Sequence, residues 1–97
     1  MRPSAILINT ARGPIVDPAA LRSALVEGEI AGATLDVTEP EPPARDDPLL
    51  SAPNLIVAPH IGSATKRARE QMAELAVENL LAGLDGRPMP HQVQAVA

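Results

Sequence analysis

With 97 residues, 45% of them hydrophobic, and 8 Lys+Arg set against 12 Asp+Glu, the chain suits one small domain or a piece of a larger one. The net charge of -4, with no basic cluster and no aromatic residue to stack on a base, argues against a nucleic-acid partner. Zero cysteine excludes disulfides, thiolate nucleophiles and Cys-based metal sites, and no apolar run nears the ~18 residues of a membrane span, so a cytoplasmic protein is the expectation.

Ala5-Ile6-Leu7-Ile8-Asn9 is a continuous apolar run rich in β-branched residues and predicts a strand buried on both faces, as in a parallel sheet. Thr10 to Pro14 reads as a turn. Asp17-Pro18 then starts a helix, because the Asp carboxylate can accept from orphan N–H groups and Pro loses no bond at the first helical position. Leu21, Ala24 and Leu25 form its apolar stripe, and Gly28 ends it. Ile30 to Val37 supplies a second strand, which completes one crossover unit.

Between Thr38 and Pro53, five prolines and four acidic residues break all periodicity, and a surface loop is expected. Loops longer than about 12 to 15 residues in compact domains are usually functional or disordered. Asn54 to Ala58 is a third short strand, closed by Pro59-His60-Ile61-Gly62-Ser63. Thr65 or Ser63 can cap a long helix in which Ala68, Met72, Leu75, Ala76 and Leu80 recur at helical spacing, ending near Gly83 to Gly86. The tail from Arg87 to Ala97 carries no pattern. The order strand, helix, strand, loop, strand, long helix defines an α/β fold. Its packing rests on Ala, Leu, Ile and Val alone, so the core is expected to be marginal and to be covered by something larger.

In open parallel sheets ligands bind beyond the carboxyl ends of the strands. There the first strand runs into Arg12, the second into Asp36 with Glu39 and Glu41 just beyond, and the third into His60. A guanidinium grips a carboxylate with two charge-assisted hydrogen bonds, and a carboxylate beside an imidazole fixes which ring nitrogen faces outward. Such a trio can bind a small carboxylic acid and move a proton. Taken singly, each residue is more ordinarily a solvated surface group. His91 has no evident role, and two distant histidines with scattered carboxylates show no metal-ligand spacing.

Three separated motifs carry a resemblance: Ile8-Asn9-Thr10-Ala11-Arg12-Gly13 with Val16-Asp17, then Gly32-Ala33-Thr34-Leu35-Asp36-Val37 with Glu41-Pro42, then Pro59-His60-Ile61-Gly62-Ser63-Ala64-Thr65. In this order they resemble the D-isomer-specific 2-hydroxyacid dehydrogenases, and the third is most similar to their glyoxylate and hydroxypyruvate reductase branch. The resemblance implies the C-terminal half of a Rossmann-type parallel sheet over residues 1–86, including a helix returning to a substrate domain, then a tail over 87–97. It implies NAD or NADP as cofactor, a small 2-oxo or 2-hydroxy acid as substrate and a homodimer as the full-length form. Arg12 would hold the substrate's carboxylate and carbonyl, His60 would give the proton in reduction, and Glu41 would orient the imidazole. Glu41 rather than Glu39 is selected because the family places its Glu-Pro five residues beyond the strand-end Asp, here Asp36. Thr10, Ala11, Arg12, Asp36, His60, Gly62 and Ser63 would line the ribose and nicotinamide end of the cofactor.

Several family features are absent, among them the acidic or basic residue that decides between NAD and NADP and the first part of the substrate domain. The phosphate-binding G-x-G-x-x-G does not occur, since the six glycines stand apart at 13, 28, 32, 62, 83 and 86. An opening at Met1 with a strand almost at once reads as an internal start, and because the chain could place half a nicotinamide site but not anchor the cofactor, it is expected to be inactive alone. The alternatives are a non-catalytic fragment that adds strands to another chain and a corepressor-like interaction module of the same fold. Phosphoglycerate, lactate and other 2-hydroxy acids stay open as substrates.

Overall fold

The computed structural model describes residues 1–94; Ala95, Val96 and Ala97, the end of the expected tail, lie outside the described residues. The chain divides into two compact units, Met1–Gly62 and Ser63–Ala97.

In the first unit, strands β1 (Ile6–Asn9), β2 (Gly32–Leu35) and β3 (Leu55–Val57) form a parallel sheet in the order β1-β2-β3. Ile8 lies opposite Thr34 and Thr34 opposite Ile56, so all three strands end along one edge. Helix α1 (Pro18–Val26) joins β1 to β2, and its start follows from local chemistry: Asp17 Oδ1 accepts from the Ala19 and Ala20 amides at 2.9 and 3.1 Å. Glu27 caps the end, and Gly28 follows at φ 70°, a conformation suited to a residue without Cβ.

Leu21, Leu25, Ile30, Ala33, Leu35 and Leu49 make the core, with Leu7, Val16 and Leu55 packed against it. Burying each of the leucine side chains stabilises by about 1.5–3 kcal/mol. Leu49 belongs to the stretch expected to be a loop. Part of that stretch, Pro48–Ser51, is a 3-10 turn whose first free amide, that of Leu49, is capped by Asp47 Oδ1 at 2.9 Å. A second 3-10 turn, Gly13–Ile15, overlaps the end of the turn expected over Thr10 to Pro14 and extends one residue beyond it. Both are set by packing as well as by local sequence.

The expectation that the first strand is buried on both faces does not hold within this unit. Ile6 and Ile8 are 62% and 68% exposed and Ile56 is 64% exposed, while the opposite side carries the core. Crossovers between parallel strands share one hand, so two that advance in the same direction across a sheet land on the same face. Here both advance from β1 towards β3, and residues 1–62 contain no crossover running the other way.

The second unit is built on helix α2 (Lys66–Leu84). Of the two expected caps it is Thr65 that acts, its Oγ1 accepting from the Ala68 amide at 3.2 Å. The apolar stripe read from the sequence is largely solvent-facing: Met72, Leu75 and Leu80 are exposed, and Ala82 is the buried residue of the helix. Beyond Gly86 the chain is more ordered than a patternless tail. The His91 amide donates to Asn79 Oδ1 at 2.9 Å and Asn79 Nδ2 donates to the His91 carbonyl at 3.2 Å. Among the described residues no helix is long and apolar enough to cross a membrane, and no group of potential metal ligands occurs.

Candidate active site

The carboxyl edge of the sheet carries three loops, and each brings one of the expected residues. After β1, Asn9 bends the chain: its Oδ1 accepts from the Ala11 amide at 3.1 Å and its Nδ2 donates to the Arg12 carbonyl at 2.8 Å. This side-chain imitation of a turn leaves Thr10, Ala11 and Arg12 exposed. The Arg12 guanidinium donates one bond to the Ala11 carbonyl through Nη1, at 2.6 Å, which leaves its other N–H groups free for a ligand.

Gly13 is buried, and a Cβ there would collide with the carbonyl of Thr38. Only a glycine allows the loop after β1 to sit directly on the backbone that follows β2. The acidic stretch beyond contains two cis peptide bonds, Glu39-Pro40 and Glu41-Pro42, and Thr38 Oγ1 donates to the Pro40 carbonyl at 2.9 Å.

Of Glu39 and Glu41, it is Glu41 that meets the imidazole. His60 Nδ1 lies 2.5 Å from Glu41 Oε1, and because a carboxylate only accepts, the proton sits on Nδ1 and Nε2 is left facing outward. Glu39 makes no hydrogen bond or ion pair among the described residues. His60 is in the left-handed backbone region at φ 56°, which turns the chain sharply after Pro59.

Asp36 stabilises that turn from β2. Its Oδ1 accepts from the Ile61 amide and its Oδ2 from the Gly62 amide, both at 2.8 Å. The Ile61 amide above all holds the Asp36 carboxyl below its ordinary value; burial works against this, while the Gly62 amide, the positive charge of His60 and the His60 backbone N–H add to the lowering.

Together Asp36, Thr38, Glu41, Pro42, Val57, Ala58, Pro59 and His60 line an open cleft of about 760 Å³. The geometry brings Glu41 and His60 into contact and seats Asp36 behind them. Arg12 stands at the same sheet edge without touching either. Gly62 closes the first unit and Ser63 opens the second, where it is half-buried. Sequence reasoning passed over Asn9 and Gly13, although an Asn at a strand end and an Arg-Gly-Pro turn are local signals for what each does.

Comparison with known proteins agrees with this arrangement. Residues 1–62 match the family described as D-isomer specific 2-hydroxyacid dehydrogenase, NAD binding domain. A glyoxylate/hydroxypyruvate reductase B from Klebsiella pneumoniae subsp. pneumoniae is 57% identical over 86 residues, covering 89% of this chain and 27% of that protein. Among solved structures, a Thermus thermophilus protein superposes with a TM-score of 0.81 at 55% identity, over 97% of this chain and 30% of its own. An NADPH-dependent glyoxylate/hydroxypyruvate reductase from Sinorhizobium meliloti in complex with citrate gives 0.73 at 49% identity, over 84% and 26%. The chain thus spans little more than a quarter of the length of the curated relative it matches. With 62 of its 97 residues inside the match, an α/β parallel sheet in the expected order and the Glu41–His60 pair at its carboxyl edge, the chain belongs to the D-isomer-specific 2-hydroxyacid dehydrogenase family through its NAD-binding domain.

Proposed function

We propose that this chain supplies the proton-transfer and carboxylate-binding edge of an NAD(P)H-dependent reductase acting on a small 2-oxo acid, glyoxylate or hydroxypyruvate. The observation that carries the reading is the His60–Glu41 pair, in which the carboxylate engages Nδ1 and leaves Nε2 for a ligand. Support comes also from the Klebsiella relative, a glyoxylate/hydroxypyruvate reductase. The compartment belonging to this reading is the cytoplasm, and the assembly is a homodimer of the complete enzyme.

The residues fit one end of the cofactor. The cleft is within the size range of small-molecule sites and is lined by Asp36, Thr38, Glu41 and His60, while the exposed Thr10–Arg12 loop and the Ile61–Gly62 backbone follow strands of the same sheet edge. These would hold the nicotinamide and its ribose, together with Ser63; no glycine loop in these residues suits the diphosphate. When bound, the reduced nicotinamide supplies the hydride for C2 of the acid.

The chain's own residues do the remainder. Arg12 grips the substrate carboxylate through its free N–H groups. His60 Nε2, protonated at the start, gives its proton to the carbonyl oxygen as that oxygen gains charge, and Glu41 keeps the ring in the tautomer and orientation this requires. In the reverse direction the same Nε2 takes the hydroxyl proton.

The test is a chimera in which this chain replaces the matching segment of the Klebsiella enzyme, assayed by NAD(P)H oxidation with glyoxylate and with hydroxypyruvate. The chimera is expected to turn over, and His60→Ala to lower its turnover by about 10²–10⁴-fold. An active chimera indifferent to His60→Ala overturns the assignment. A chimera that folds, binds the cofactor and reduces neither acid favours the non-catalytic reading.

A further inference from the structure

Two polar side chains are buried among the described residues, Asn9 and Asp36, at 6% and 7% exposure. Both stand at the carboxyl ends of neighbouring strands, where the Asp36 amide donates to the Asn9 carbonyl at 2.9 Å. A strand end facing a leucine core has no need of an amide or a carboxylate, and burying either is unfavourable unless its hydrogen bonds are made. Neither side chain bonds to another side chain. Asn9 spends both ends on the backbone of Ala11 and Arg12, and Asp36 spends both oxygens on the backbone of Ile61 and Gly62.

Resting on the function proposed above, we infer that Asn9 and Asp36 are positioning residues, Asn9 for the loop that presents Arg12 and Asp36 for the turn that presents His60. Each strand end thereby fixes one polar group of the site. The Asp36 bonds matter because His60 holds a left-handed backbone, an unfavourable state for a side chain with a Cβ, which persists only when its surroundings over-determine it. A Cβ on Gly62 would lie 2.9 Å from Asp36 Oδ2, so the carboxylate closes directly onto the turn. Each carboxylate oxygen keeps a second lone pair, so this role is compatible with a cofactor contact from the same side chain. For Asn9 the alternation is tighter: one acceptor and one donor clamp the residues on either side of the Ala11–Arg12 peptide, which fixes where the guanidinium stem leaves the sheet.

The two assignments make different kinetic predictions, because Arg12 would bind the acid while His60 would move a proton. Asn9→Asp and Asp36→Asn are nearly isosteric exchanges that each spoil one bond: the first sets an oxygen against the Arg12 carbonyl, the second an amide group against a backbone N–H. In the Klebsiella chimera, Asn9→Asp is expected to raise KM for the 2-oxo acid roughly tenfold with kcat within about twofold, and Asp36→Asn to lower kcat roughly tenfold with KM little changed. Ala24→Gly, which weakens α1 without touching either loop, is expected to leave both constants alone. In the 97-residue chain, long-range ¹H–¹⁵N spectra of the imidazole should show a fixed Nδ1–H tautomer at His60 that persists in Asn9→Asp and is averaged in Asp36→Asn. The inference is overturned if both variants lower kcat alike with KM unchanged, as a smaller folded fraction would, or if the His60 tautomer ignores Asp36→Asn. An inactive chimera whose His60 spectra follow this pattern sinks the reductase reading and leaves the positioning intact.

Discussion

Replacing Gly13 by alanine tests whether the loop after β1 is truly seated on the backbone after β2. The added Cβ would overlap the Thr38 carbonyl and lie 2.8 Å from the Glu39 nitrogen, so two stretches of main chain, not a flexible side chain, must move apart. Overpacking of this kind costs about 1–3 kcal/mol, and rigid backbone on both sides puts Gly13→Ala near the upper end. For a unit of 62 residues, at about 4–8 °C per kcal/mol, that is a fall in Tm of roughly 10–25 °C. Gly28→Ala is the internal reference. Gly28 has φ 70° and nothing within 4 Å of its added Cβ, so that variant loses only the conformational freedom of glycine, about 1 kcal/mol. Thermal unfolding of the 97-residue chain, followed by circular dichroism, measures both. Equal Tm values for Gly13→Ala and Gly28→Ala would refute the close approach.

Two further outcomes are expected. In the chimera, Glu41→Gln should lower turnover by about 10²-fold because a neutral amide neither stabilises the protonated ring nor, able to donate as well as accept, fixes its tautomer, whereas Glu39→Gln should stay within about twofold; the reverse ranking assigns the wrong acid. Acid stability should depend on Asp36. Its folded-state value is depressed below the ordinary 3.8, so its contribution is complete above that pH and is lost as the pH falls below 3.8 through the depressed value. Urea midpoints measured from about pH 5 down to about pH 2 should therefore decline less steeply in Asp36→Asn than in the parent, and superimposable slopes would remove the carboxylate from the account.

The features legible in the sequence are those whose cause is local. Asp17-Pro18, Gly28 and Thr65 act within a turn of themselves, and the structure places each where capping chemistry puts it. The same Asp-Pro signal recurs at Asp47-Pro48, yet the surrounding prolines hid it, and the 3-10 turn there is anchored by Leu49 reaching core residues that lie between Leu21 and Leu35 in sequence. Burial was harder to read. The run Ile6-Leu7-Ile8 has the composition of a strand covered on both sides, and composition does not record which way the crossovers travel.

At the site, position alone left Glu39 and Glu41 equivalent; the family resemblance chose Glu41, and the backbone path through two proline turns brings that acid to the imidazole. Asn9 is marked in the sequence as the polar residue ending an apolar run, but which main-chain atoms it holds, and hence that it shapes the Arg12 loop, appears only in the folded chain.

The bare isoleucine face also governs how this chain behaves once heated. β1 and β3 are the outer strands of the sheet in Met1–Gly62, each short, uncharged and rich in β-branched residues, and each with one side of its ladder open. Segments such as Ala5–Asn9 and Leu55–Ala58 are the kind that stack between molecules when released. Holding a concentrated sample above its melting range is then expected to end in precipitate, whereas a dilute sample scanned once and cooled promptly recovers its fold.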